Sequence, residues 1–343
     1  MEQLLGPRTL ITRIALGAVV LLLTMFVSSL VGTERVSVRT ALGGAGSPSA
    51  PNPDYEIFVR VRLPRICLAA IVGAALASSG VVFQALLRNP LADPYILGIS
   101  SGAGLGATIA VLSGVSWTLW GRSPIAVFAF LGAIGGIWIV WLIGRLTGKF
   151  YITGLLLGGV IVNAFFSAVI MFLTAVANSQ HIYATIFWLM GNMIEEDFLV
   201  LWIAGGCVIA GVLGLFFISP HLNVLSLGEA DARNIGINVK RIQAIAFAIT
   251  AMMTAVAVSL SGLIGFVGLI IPHGVRLMFG PDHRQLIPLS SIAGAIFLVW
   301  ADTVARVVVA PAQLPVGVVT AIVGGPLFLI LLVKYSKRVG WSL

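Results

Sequence analysis

Charge is what this sequence has least of. Only 9% of its 343 residues are Asp, Glu, Lys or Arg, against roughly 25% in a soluble domain. Too few ionised groups are present to clothe a water-facing surface, so a soluble enzyme or binding module of this length is excluded. Cysteine is scarce as well. Cys67 and Cys207 both fall inside apolar runs, which points to small buried hydrophobes rather than a disulfide framework or a zinc site. The four histidines, His181, His221, His273 and His283, stand far apart without metal-ligand spacing. Catalytic signatures are missing too: there is no nucleophile elbow, no HExxH and no kinase motif. The segment Gly144–Lys149 approaches a phosphate loop but is one residue short, and Phe150 stands where Ser or Thr would bind magnesium. Nothing in the chain is expected to hydrolyse ATP. One polar loop, near 33–60 and rich in Gly, Ser, Pro and Asn, is the only long break in the apolar pattern, and it is too short for a separate soluble domain.

What the chain has in abundance is apolar runs of the length that crosses a bilayer, roughly 20 residues as a helix. They fall near 12–32, 64–86, 94–114, 123–145, 152–177, 198–218, 241–261, 264–279, 286–308 and 315–334, with a short amphipathic stretch near 184–195. This predicts an all-α, polytopic membrane protein of about ten spans. Arg8 and Arg13 precede the first run, Ile14–Val31, which is too long for a signal-peptide core and is followed by no A-x-A cleavage site. With the N-terminus inside, Lys and Arg divide thirteen to seven in favour of the inner side, as the positive-inside rule requires. Both termini are then cytoplasmic and Glu195-Glu196-Asp197 is external. The net charge of +8 thus reflects orientation in a membrane rather than affinity for nucleic acid.

Glycines recur four residues apart at Gly98, Gly102 and Gly106, at Gly132 and Gly136, and at Gly154 and Gly158. Such stripes let helix backbones approach closely in lipid, so packing accounts for them. A faint likeness between Leu97–Gly104 and Leu289–Ala295 is too weak to establish duplication.

Three groups of polar residues are candidates for function. The first is Leu222–Arg241, the longest polar stretch expected on the cytoplasmic side, with Gly228 and Gly236 separating two short helical pieces and Glu229 and Arg233 one turn apart. It is either an ordinary connection or a knob that docks into a soluble partner. The second is Arg60, Arg62, Arg65 and Arg306 at the outer side. These oppose the positive-inside tendency, and they either snorkel to headgroups or receive acidic residues of an external protein. The third is the set within spans: Asn163, Ser167, Asp302 and Thr303. Asp302 is expected to pair with Arg306 one helical turn later.

Several segments taken together resemble the FecCD family of permeases, the membrane subunits of ABC importers for ferric siderophores, haem and cobalamin. In order along the chain they are Arg62-Leu-Pro-Arg65 with the run Gly73–Gly80, then Gln84–Pro94 with Leu97–Gly102, Leu227–Arg233, Ser261–His273, Asp282–Arg284, Ala301–Arg306 and Leu314–Thr320. The likeness covers roughly 55–335. It implies a type II ABC importer permease fold, a single transmembrane domain over 1–343 with coupling helices at 222–238, and a homodimer with the path on its two-fold axis. It also implies a cytoplasmic ABC ATPase dimer that holds the ATP and magnesium, no cofactor on this chain, and a periplasmic or lipid-anchored binding protein that delivers a metal chelate through the inner, or plasma, membrane of a bacterium or archaeon. By the same likeness, Leu225, Leu227, Gly228, Glu229, Ala232, Arg233 and Gly236 couple to the ATPase. Arg62, Arg65 and Arg306 face acidic residues of the binding protein. Ile152 and Thr153 lie at the cytoplasmic gate, and Asn163 lies on the path. A gradient-driven transporter is the alternative, but it needs ionisable groups within broken helices, and Asp302 has a local partner. A membrane-embedded enzyme would need clustered acids, bases or ligands, which are lacking.

Overall fold

The structure is a computed structural model that describes residues 6–44, 46–47, 50–114, 124–147, 151–193 and 197–339. Lipid offers the backbone no hydrogen bonds, so apolar segments satisfy their own N–H and C=O groups as helices. Fourteen helical segments are described: α1 (Pro7–Leu30), α2 (Val38–Ala41), α3 (Pro53–Tyr55), α4 (Leu63–Leu86), α5 (Ile99–Leu112), α6 (Pro124–Leu146), α7 (Tyr151–Ala175), α8 (Ser179–Leu189), α9 (Phe198–Leu227), α10 (Glu229–Asn234), α11 (Val239–Ser261), α12 (Val267–Phe279), α13 (His283–Val307) and α14 (Val316–Val339). A π-helical stretch, Glu56–Arg62, fuses α3 to α4, and a 3₁₀ turn, Pro94–Leu97, precedes α5. The only described strands are a two-residue ribbon, Gly46–Ser47 against Ala50–Pro51, in the N-terminal loop. Seven helices are long and apolar enough to cross a membrane, and three shorter apolar ones, Ile99–Leu112, Val267–Phe279 and Val316–Ile330, account for the rest of the expected spans.

Three expected boundaries are corrected. The helix around the second span begins at Pro53, not near 64. Asn52 accepts from the Tyr55 N–H and Pro53 takes the first helical position, a cap-and-proline start that ends the polar loop early. The sixth span does not stop near 218. Despite Pro220, α9 continues to Leu227, because the buried Leu222 and Leu225 hold its last turns to the core. The first of the two short pieces expected in Leu222–Arg241 is therefore the end of a long helix rather than a separate one. The last helix also runs past 334, to Val339.

The helix Pro53–Leu86 is central: 78% of its most apolar window is buried, against 6% for α1 on the periphery. Glycines set its contacts. A Cβ at Gly73 would lie 2.2 Å from the Gly294 carbonyl oxygen in α13, and one at Gly80 would lie 1.9 Å from that of Gly268 in α12. The Gly98–Gly106 and Gly132–Gly136 stripes behave likewise, with Gly102 meeting Gly132 and Gly136 meeting Gly98 across α5 and α6. Contact this close gains dispersion along the whole crossing. Helices α4 and α13 run antiparallel, since Arg65 meets Asp302 while Gly73 meets Gly294.

Candidate functional site

The α4–α13 pair carries a polar cluster at each end. At one end Asp302, fully buried, accepts from Arg65 Nε at 2.9 Å and from Arg306 Nε at 3.0 Å. The expected pairing with Arg306 is present, and Arg65 joins it from the neighbouring helix. Arg65 also donates to Gln313 Oε1 at 2.7 Å. The other two guanidiniums turn to the C-terminus of α1. Arg62 donates to the carbonyls of Ser29, at 3.1 Å, and Glu34. Arg306 donates to Ser28 Oγ at 3.0 Å and to the Val31 carbonyl at 3.3 Å. The last carbonyls of a helix lack intrahelical donors and carry about half a negative charge, so α1 supplies part of the counter-charge that one carboxylate cannot. All three arginines are buried. Their guanidiniums bond to groups of the protein itself. One donor is spare, for Arg65 Nη2 is buried without a hydrogen-bond partner. Arg60, by contrast, is exposed and pairs with Glu56.

The opposite end holds the polar knob. Gly228 breaks the chain out of α9, and α10 follows for six residues. Gly236, at φ +85°, closes it. Its N–H donates to the Arg233 carbonyl and the Ile237 N–H donates to the Ala232 carbonyl. This pair of bonds is the Schellman arrangement, which needs a left-handed residue and explains glycine at 236. Glu229 is the hub. It pairs with Arg233 at 2.9 Å, as the spacing predicted, and with Arg88 at 3.6 Å, and it accepts from Gln243 at 3.2 Å. Arg88 closes the end of α4 in a left-handed conformation, φ 48°. Leu225 and Ala232 anchor the knob from beneath, whereas Leu227 and Ile235 are 78% and 65% exposed. The knob therefore offers two bare apolar side chains beside the exposed Arg233.

Next to the knob, Asn223 joins α9 to α13. Its Nδ2 donates to Asp282 Oδ1 at 2.8 Å, and its Oδ1 accepts from the His283 N–H at 2.8 Å and meets His283 Nδ1 at 2.7 Å. Asp282 caps α13 and pairs with Arg284 at 2.6 Å. Burial works to raise its pKa, but the donors of Arg284 and Asn223 prevail and hold it at about 2.

Asn163, on α7, points at a neighbour. It donates to the carbonyls of Tyr95 and Ile96, both at 3.1 Å, and accepts from Ser101 at 2.5 Å, pinning the turn before α5. Thr153 is exposed and Ile152 partly buried at the start of the same helix. The gate loop just before them, residues 148–150, lies outside the described residues, as do Arg122 and Glu195-Glu196. Sequence reasoning missed Arg88, Asn223, Gln243 and Gln313. Each is a common residue in a loop or at a helix end, and its spacing carries no signal of its remote partner.

A sequence model of the FecCD transport family matches residues 19–334. The chain belongs to the FecCD family. This FecCD member is 36% identical, over 95% of its own length and 97% of the relative's, to the hemin transport system permease protein HmuU of Yersinia pestis. It is 43% identical over 82% of its length to the cobalamin import system permease protein BtuC of Halobacterium salinarum, covering 74% of that protein. Among solved structures, an ABC transporter assigned to the metal-chelate type, in an inward-facing conformation, superposes with a TM-score of 0.81 at 31% identity, over 95% of this chain and 99% of that one. The FecCD fold and membrane class expected from the motifs are thereby established.

Proposed function

We propose that this FecCD protein is the permease subunit of an ABC importer that moves a metal chelate, of the haem, cobalamin or ferric-siderophore kind, inward across the plasma membrane, with both termini cytoplasmic. The observation that carries it is the projecting knob Leu225–Gly236, in a chain whose relatives include hemin and cobalamin permeases. Exposed Leu227 and Ile235 around a rigid, glycine-closed turn suit a groove on a soluble ATPase. That partner binds ATP and magnesium, and this chain carries no catalytic group or cofactor of its own. Two copies form the path, and alternating access follows as the ATPases close and the knobs move. The whole chain works as one transmembrane domain, and Ile152 and Thr153 belong to the gate at the knob end.

At the opposite end an external binding protein delivers the chelate. By the family likeness Arg62, Arg65 and Arg306 mark the face that meets acidic residues of that protein, with their guanidiniums bonded inside this chain. Arg62 and Arg306 hold the surrounding helices. Asn163 contributes to the path by fixing the turn before α5.

The test is co-purification with the ABC ATPase and stimulation of ATP hydrolysis by the loaded binding protein. Replacing Glu229 or Arg233 by Ala is expected to cut that stimulation about tenfold, a coupling change of roughly 1.4 kcal/mol. Unchanged stimulation in both variants would remove the knob from the mechanism. Uptake that survives ATP depletion and follows an ion gradient would favour a secondary transporter instead.

A further inference from the structure

We propose that Asn223 is a positioning residue of the transport cycle, clamping the base of the coupling knob to the first turn of α13 so that α13 and α4 move with the knob as one lever. The inference rests on the importer reading above and adds a transmission route to it.

The clamp is specific. A single carboxamide uses both of its ends: Nδ2 holds the capping carboxylate Asp282, and Oδ1 holds the backbone and ring of His283. Asp282 in turn caps α13 at Arg284 N. A displacement of the end of α9 is therefore applied to the α13 backbone itself, not to a flexible side chain. The knob grips the partner helix as well, because Glu229 meets Arg88 just past the end of α4. One short element thus holds the same end of both helices.

Those two helices cannot slide past each other freely. Gly73 and Gly294 place backbone against backbone, and Gly80 does the same with α12. Close-packed interiors transmit strain rather than absorb it. From Asp282 to Asp302 α13 runs for about 30 Å at 1.5 Å per residue, roughly the thickness of the hydrocarbon layer. At its far end Asp302 binds Arg65 of α4 and Arg306 of α13. The two helices are consequently tied at both ends, once to the knob and once to the cluster that carries the spare Arg65 donor. A two-ended lever of this kind lets events on one face bias the other without a pathway of small adjustments.

The test uses the full permease dimer with its ATPase in lipid nanodiscs, with and without the loaded binding protein. For Asn223→Ala, co-purification with the ATPase and basal hydrolysis are expected to stay within about twofold of wild type. Stimulation by the binding protein is expected to fall about fivefold or more. Asn223→Asp sets a carboxylate against Asp282 and is expected to lose at least as much. A residue that served stability alone would lower assembly and basal activity together with stimulation. Stimulation within about twofold of wild type in both single variants, or loss in step with assembly, overturns the clamp while leaving the importer reading intact. A wild-type chain that neither binds an ATPase nor responds to a binding protein overturns both.

Discussion

Asp302 is the most consequential single side chain at its end of the bundle. It is fully buried, and its two oxygens take one charge-assisted bond each, from Arg65 at 2.9 Å and Arg306 at 3.0 Å. Hydrogen bonds to charged groups are worth roughly 1.5–3 kcal/mol each. Asp302→Ala removes both and leaves two guanidiniums facing each other without an anion. Breaking a buried pair this way costs about 3–5 kcal/mol. For a chain of this size each kcal/mol moves Tm by about 2 °C, so a fall of about 6–10 °C is expected. The assay is thermal unfolding of the purified protein in detergent micelles. Removing the charges together, as Arg65→Met/Asp302→Leu/Arg306→Met, is expected to restore most of the loss, because apolar replacements of buried pairs are often neutral. The remaining deficit is about 1 kcal/mol for the uncapped α1 carbonyls. A Tm for Asp302→Ala within about 2 °C of wild type, a change of about 1 kcal/mol, would refute this account of the cluster.

Three further outcomes follow from the structure. Gly80→Val places carbon about where the Gly268 carbonyl already is, so it is expected to cost more than about 4 kcal/mol and to appear as loss of folded protein in size-exclusion chromatography. Asn163→Leu strands the Tyr95 and Ile96 carbonyls and is expected to cost about 1–3 kcal/mol in thermal unfolding; a transport defect at unchanged stability would instead make it a path residue. Asp93, in the turn before α5, has its pKa lifted to about 6 by burial, against the opposing N–H of Tyr95. A raised pKa means the fold binds the proton more tightly than the unfolded chain does. Its contribution is then full below about pH 4 and is lost as pH rises through about 6. The Tm is expected to be higher at pH 5 than at pH 7.5, and Asp93→Asn, measured by the same melt, is expected to flatten that difference.

The sequence by itself determined the class, the span count and the family. Scarce charge and repeated apolar runs leave helices in lipid as the only way to satisfy the backbone, and ordered motifs such as Arg62-Leu-Pro-Arg65 and Ala301–Arg306 are local strings that need no fold to be read. The Glu229–Arg233 and Asp302–Arg306 pairs were legible too, since one helical turn fixes both. The run-on of α9 through Pro220 was not, because burial of Leu222 and Leu225 by distant helices outweighs a local breaker. Only the tertiary structure decided that Arg62, Arg65 and Arg306 are buried, because their partners on α1 and around Gln313 are hundreds of residues away or are backbone carbonyls that any residue supplies. The same holds for Asn223, which meets His283 sixty positions on. Periodicity reports which face of a helix is apolar, but which polar groups meet across a bundle is set by packing, and in this chain backbone-to-backbone glycine crossings fix that packing.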